Sequence, residues 1–375
     1  MINRLFFPSR EADLPADGMP YGCSTTDRER WNLRGPVRAC TLRRTWFACH
    51  DGGCGTDERG DTTHVEFRPD GALTLQRHLN HDGSAWESIR EYDASERLAA
   101  VRHYGPNGLS NASIHEYDAH GRLERVVERL PDGRERVATS YEYGLDGSHR
   151  KIDHLDTEQL AGRAVHWVIE DGSDVGYSAV GATRIVLQYS ARSLPVEATF
   201  TDRDGQMLTR VNMTHDERGL VVEVTQTVLE LPLPEEVRAQ LTPSDLEKFR
   251  AMLGGDGVAH RRVHRYDADG RRIETRSSQF GGLGQERQTF DYNERGDQVR
   301  EVRESRECEG SLDDRGRLVE NPASVTSHRS ETRFQYDYDH EGNWIKKRVE
   351  GRSDSNQEFS VSTIETRDIQ YYPAT

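Results

Sequence analysis

The sequence predicts an all-β protein: consecutive antiparallel hairpin repeats forming a long twisted, partly rolled sheet, with one short helical insertion. Three observations lead there. The unit Tyr-Asp-x-x-Gly recurs, as in Tyr92-Asp93-Ala94-Ser95-Glu96-Arg97-Leu98, Tyr117-Asp118-Ala119-His120-Gly121-Arg122-Leu123 and Tyr266-Asp267-Ala268-Asp269-Gly270-Arg271-Arg272-Ile273. Its spacing is regular, 25 residues from Phe67 to Tyr92, 25 to Tyr117 and 26 to Tyr143, which marks a repeat architecture. Ten Asp-Gly dipeptides punctuate the chain, enough to place a turn at each end of short strands.

Within a unit, the Asp accepts hydrogen bonds from amides just beyond it, and the Gly takes the positive φ that closes a hairpin loop. A second turn signal lies between anchors, such as Gly105-Pro106-Asn107-Gly108 or Pro131-Asp132-Gly133. Each period therefore holds two strands of about eight residues, and ten anchors imply on the order of twenty strands. The structural anchor residues of the five units at 92, 117, 266, 292 and 338 are Tyr92, Asp93, Tyr117, Asp118, Gly121, Tyr266, Asp267, Gly270, Tyr292, Gly296, Tyr338, Asp339 and Gly342, and looser copies start at Phe67, Tyr143, Phe200, His215 and Leu312. The strands are highly charged. Arg122 to Arg129 reads R-L-E-R-V-V-E-R, which suits one modestly apolar face and one wet face with Arg and Glu paired across strands.

The organisation follows in order. Residues 1–64 are read as an N-terminal cap with a cysteine cluster, 65–228 as hairpin repeats, 229–257 as the helical insertion, and 258–375 as further repeats with a C-terminal strand. The insertion rests on Thr242 as a cap, Pro243 at the first helical position, Asp245 in the first turn and Gly254 as a stop. Its bland role is to pack over the sheet; its functional role is to dock a partner.

The repeat units resemble those of the YD-repeat (RHS-repeat) family, over about residues 65–350. Leu33-Arg34-Gly35-Pro36-Val37-Arg38 is similar to the leading strand of small, free-standing members. The resemblance implies a long antiparallel sheet that curls on itself, which in large members forms a shell around a toxic C-terminal domain. The self-cleaving signature of those shells includes Asp-Pro, and that dipeptide is missing from this sequence. Neither self-cleavage nor a toxin payload is expected, and the repeat count is read as too small to close a shell.

Hydrophobic residues make up 34 % of the chain, or about 39 % when Gly replaces Tyr in the count, below the usual share for globular domains. A thin core is expected. The net charge of −15 disfavours nucleic acid and anionic membrane surfaces. With no apolar run of signal-peptide or spanning length, the expectation is a cytoplasmic protein without membrane insertion, export by a specialised route aside. Of the 50 basic residues 46 are Arg, which reflects either coding bias or guanidinium forks paired with carboxylates.

Four of the five cysteines lie early, at 23, 40, 49 and 54. Cys40, Cys49, Cys54 and His50 are candidate zinc ligands, with reduced structural thiols and disulfides as the other readings. No other cofactor is indicated. The chain has no Gly-x-Ser-x-Gly elbow, Walker loop or His-Glu-x-x-His, so it is read as non-enzymatic. The expected function is a scaffold that binds a protein or peptide partner on its curved sheet. The alternatives are an accessory enclosing a toxin-like polypeptide, and a carbohydrate-binding surface protein.

Overall fold

A computed structural model describes residues 26–47, 49–50, 53–54, 59–155, 164–168, 176–180, 182–229, 242, 258–312, 318–354 and 356–373. The described residues begin with one helical turn, α1 (Asp27–Arg30), where Thr26 and Glu29 form a reciprocal capping box. Strand β1 (Val37–Trp46) follows, then a small hairpin of β2 (Cys49–His50) and β3 (Gly53–Cys54). Next come β4 (Arg59–Phe67), β5 (Leu73–Leu79), β6 (Ala85–Tyr92), β7 (Leu98–Gly105), β8 (Gly108–Tyr117), β9 (Leu123–Arg129), β10 (Glu135–Tyr143) and β11 (His149–His154). After a hairpin of β12 (Ala164–Val168) and β13 (Gly176–Val180) come β14 (Arg184–Tyr189), β15 (Pro195–Thr201), β16 (Met207–His215) and β17 (Val221–Val228). The run continues through β18 (Val258–Tyr266), β19 (Arg272–Gln279), β20 (Gly284–Tyr292) and β21 (Gln298–Glu307). A last small hairpin, β22 (Gly310–Leu312) and β23 (Leu318–Glu320), precedes β24 (Thr326–Tyr338), β25 (Trp344–Ser353) and β26 (Asn356–Tyr371).

Twenty of these strands form one antiparallel sheet, each beside its neighbours in sequence apart from the three small hairpins. Strand β1 joins the ends. Cys40 lies opposite Ile369 of β26 on one side and Val65 of β4 on the other. The sheet therefore closes on itself as a twenty-strand barrel with no free edge, which corrects the expectation of a partly rolled open sheet. The reason is non-local: a strand outside the repeat pattern is inserted between the first repeat and the last strand. Among the described residues, helical structure is limited to α1 and 3-10 turns such as Phe280–Gly282 and Pro322–Ser324. The predicted helical insertion, 229–257, lies outside the described residues except for Leu229 and Thr242.

In each well-formed unit the strand pairing slips by one residue at the aromatic, between Glu91 and Tyr92, Glu116 and Tyr117, and Arg265 and Tyr266. The bulge adds twist next to the turn. The glycine of the unit then closes the loop at positive φ, +77° at Gly121 and +83° at Gly342. Where Glu96 takes that slot it keeps the same left-handed conformation at φ 63°, so the turn geometry survives loss of its preferred residue.

The chain packs as two units. One comprises Thr139–Phe290 and Val302–Arg329, and its core holds Ile185, Leu187, Ala198, Phe200, Val211, Met213 and Val224, each at most 4 % exposed. The other comprises Cys23–Ala138, Asp291–Glu301 and Ser330–Thr375, with Leu33, Val37, Cys40, Val65, Phe67 and Leu73 buried together. Each fully buried side chain of this size contributes about 2 kcal/mol. Cross-strand ion pairs occupy the opposite face, as in Arg77 with Glu87, Arg102 with Glu91, and Arg261 with Glu223. The high arginine content thus has a structural use.

Candidate binding face

The turn residues are committed to holding the repeats together. Asp118 Oδ1 accepts from the amides of His120 (2.8 Å) and Arg122 (2.9 Å), while Oδ2 accepts from Arg122 Nε at 2.8 Å. Asp93 makes the same three bonds to Ser95 and Arg97, and Asp267 to Asp269 and Arg271. Amide donation from Arg97 and from Arg122 holds the carboxyls of Asp93 and Asp118 below the usual range. Asp339 accepts from Glu341 and Asn343, and Asn293 fills the same slot after Tyr292, accepting from Arg295 and Asp297 around Gly296.

The aromatic of each unit reaches the preceding hairpin. Tyr92 donates to the carbonyl of Leu73 (2.7 Å), Tyr117 to Leu98 (2.8 Å) and Tyr266 to Val221 (2.7 Å). The Arg97 guanidinium, itself held by Asp93, lies 4.2 Å over the Tyr117 ring, and Arg295 lies 4.6 Å over Tyr338. Tyr338 donates to Asp297, and burial together with that carboxylate pushes its phenol up to about 12. Gly342 holds a positive φ of +83°, and a Cβ there would lie 2.8 Å from Arg295 Nη1, the mobile end of that side chain. These contacts stitch each hairpin to the next and occupy the very side chains that dominate the sequence pattern.

Across β5 to β9, Gln76, Trp86, Ser88, Arg90, Val101, His103, Ser113, His115 and Val126 line a groove of about 420 Å³. The pairing places Gln76, Ser88 and His103 in one row, and Arg90, Val101 and Ser113 in the next. Trp86 stacks on His78, with ring centroids 5.4 Å apart. Arg90 is anchored to Asp27 of α1 at 3.0 Å. Burial first, with Arg90 adding to it, holds the His103 and His115 imidazoles below their ordinary value. Among the described residues, His115 Nδ1 and Asn111 Oδ1 are buried without hydrogen-bond partners, while Asn111 Nδ2 donates to Glu128 at 2.8 Å. The groove therefore offers an aromatic plane, imidazoles, hydroxyls and one guanidinium, a mixture suited to polar recognition at usual pocket size.

Sequence reasoning did not single out these groove residues. They carry no motif, and the only available signal was their alternation on adjacent strands.

Cys40 is fully buried in β1, and burial pushes its thiol up to about 11. Cys49 and Cys54 are direct register partners in the β2–β3 hairpin, where His50 faces Gly53.

No family model matches the chain, and no curated protein is similar to it. Solved structures show distant likeness. A porin-like protein from Bacteroides uniformis has 9 % identity and a TM-score of 0.32, with 90 % of this chain and 98 % of that chain covered. A TcdB2-TccC3 structure has 12 % identity and a TM-score of 0.24; 85 % of this chain is covered, against 19 % of that one. A Tc holotoxin pore from Photorhabdus luminescens has the same identity and score, with 85 % and 18 % covered. At such scores the likenesses carry no functional argument.

Proposed function

We propose that this chain is a non-enzymatic scaffold of YD-type hairpins that holds a protein partner on its curved sheet. The observation that carries the reading is the division of labour between the two edges of the sheet. In the unit containing Phe200, four YD-type turns, at 144–148, 190–194, 216–220 and 267–271, lie on one edge, and one, at 202–206, lies on the other. The long connections, 155–183, 229–257 and 308–325, all leave from the other. Repeat proteins collect insertions on the face they use for binding, because tight turns there have no packing role to preserve. The groove across β5 to β9 of the other unit supplies polar contacts. Strand addition is not the mode, since a closed sheet offers no unpaired edge.

The exposed Arg–Glu face supports a sheet bathed in water. A bilayer-spanning barrel presents an apolar band to lipid, whereas here ion pairs such as Arg77 with Glu87 and Arg261 with Glu223 occupy that face. No described helix is long and apolar enough to cross a membrane.

Closure of the strand order favours a second reading, an accessory that encloses a toxin-like polypeptide. The test for both is affinity purification of the tagged chain from its own cells, followed by cross-linking mass spectrometry and limited proteolysis. A stoichiometric polypeptide cross-linked to the insertion edge or the groove supports the scaffold. Protection of that polypeptide from protease points to enclosure, and a chain that elutes with no stoichiometric polypeptide overturns both.

A further inference from the structure

We propose that the groove across β5 to β9 binds an organic carboxylate with a flat apolar body, its carboxylate on Arg90 and its body against Trp86. Among the described residues, Arg90 is the one charged side chain lining this groove, and no carboxylate lines it. That is selective in a chain with 65 acidic residues and a net charge of −15. Asp27 holds Arg90 Nη1 at 3.0 Å and is itself held by the Leu73 amide at 2.9 Å, which fixes the guanidinium while its side chain stays 29 % exposed. The other polar groups around it, Gln76, Ser88, Ser113, His103 and His115, can all donate hydrogen bonds. A guanidinium surrounded by donors is the set from which a carboxylate accepts charge-assisted bonds.

Register gathers these groups on adjacent strands. Arg90 lies opposite Val101 and Val101 opposite Ser113, while in the next row Ser88 lies opposite both Gln76 and His103. Among the described residues, His115 Nδ1 is buried with no hydrogen-bond partner, an unfilled position in the same lining. Burial is the main cause that lowers the His103 and His115 imidazoles, and the Arg90 charge adds to it at both, against Glu128 at His103 and a backbone bond to Ser113 at His115. The positive field of Arg90 therefore reaches across β7 and β8. Glu128, the register partner of Ser113, is itself occupied by Arg136 Nε at 2.7 Å and Asn111 Nδ2 at 2.8 Å. The apolar part is equally fixed: Trp86 is 38 % exposed with its ring stacked on His78, and Val101 and Val126 add apolar wall. Trp86 and Arg90 share one face of β6 four residues apart, about 13 Å along the strand, so the ligand is on the order of 10 Å from ring to carboxylate. A free aromatic acid and the C-terminal end of a polypeptide with a penultimate aromatic residue carry this same chemistry. The inference shares the groove with the partner-binding reading but does not depend on it.

Isothermal titration calorimetry of the full chain at low salt tests this with 5-phenylpentanoate and its uncharged amide as probes. The expected result is one saturable site for the acid, with the amide weaker by about tenfold, the worth of one charge-assisted contact. Arg90→Gln should abolish the preference for the acid, and Trp86→Ala should weaken acid and amide alike. The acid-to-amide ratio is read on the unmodified chain, so the test stands even where Arg90→Gln disturbs the contact with Asp27. Octapeptides ending in Phe-Gly, with free and with amidated C-termini, distinguish the sources. Tighter binding of the free-ended peptide than of 5-phenylpentanoate marks a polypeptide end, and weaker binding marks a small acid. Equal affinity for acid and amide, or no saturable binding of the acid at millimolar concentration, overturns the proposal. Neither result bears on the scaffold reading, which a polypeptide cross-linked at the insertion edge decides separately.

Discussion

Removing the carboxylate of Glu274 tests whether the Arg–Glu face stabilises the sheet or merely decorates it. Glu274 is 5 % exposed and accepts from three guanidiniums, Arg287 at 2.6 Å and Arg276 and Arg265 at 3.0 Å. Hydrogen bonds from Arg287 first, then Arg276 and Arg265, outweigh burial and hold its carboxyl at about 2 against an ordinary 4.5. Each tenfold change in proton affinity is about 1.4 kcal/mol, so the ionised form is favoured in the fold by about 3 kcal/mol. The three arginines are 49 to 67 % exposed, and water shields them from one another, which lowers the expected loss to about 2 kcal/mol. Glu274→Ala should therefore lower the unfolding free energy in urea at pH 7 by about 2 kcal/mol, with the slope unchanged. The folded-state value is depressed, so this contribution is complete above pH 4.5 and is lost as pH falls from 4.5 through about 2. The alanine variant should lack that part of the acid-destabilisation curve, and Glu274→Gln, which keeps the shape, should behave in the same direction. An alanine variant within about 0.5 kcal/mol of the parent at pH 7, or one with an unaltered acid curve, refutes the reasoning. Glu331, held by Arg300, Arg352 and Arg333, repeats the arrangement.

The other predictions concern turns, a buried histidine and closure. Gly342→Ala and Gly83→Ala, at nearly the same positive φ, should each cost about 1 kcal/mol in chemical denaturation, because the atom a Cβ at 342 would meet is the mobile end of Arg295. Burial, aided by Arg272 and Arg262, holds the His264 imidazole at about 3, so it is neutral in the fold. Stability should fall as pH drops below 6.5 and continue falling toward 3, and His264→Gln should flatten that slope in pH-dependent denaturation. Truncation after Gly351 removes β26, the partner of both β25 and β1, so far-ultraviolet circular dichroism should show cooperative loss of β signal; survival of the remaining hairpins would contradict closure.

Local structure was legible because each repeat carries its own instructions. Tyr117-Asp118-Ala119-His120-Gly121-Arg122 encodes a turn through backbone bonds made within five residues, so it reads directly from the chain. The alternation of Arg and Glu with apolar residues likewise announced one wet and one dry face. The groove was not legible because its register depends on a bulge that no residue type announces. From the Gly105–Gly108 turn alone His103 would face Ser110, but the pairing shifts by one between His103 and Tyr104 and places it opposite Asn111. A one-residue slip moves a side chain to the other face of a sheet, so groove membership is decided only when neighbouring strands pack.

Sequence by itself determined the all-β class, the hairpin units and the chemistry of their turns. Tertiary structure alone decided that the sheet closes, and two contacts show why. Asn343, 1 % exposed, accepts from the amide of Arg34 and donates to its carbonyl and to Tyr371, while Arg367 donates to the carbonyls of Trp31 and Asn32. These bonds join residues more than 300 positions apart, apart from that to Tyr371, 28 positions away. Pairing β1 with β26 is a property of the folded ensemble of repeats, because its strength comes from satisfying two sheet edges at once. A local pattern holds no record of the partner that a free edge will meet.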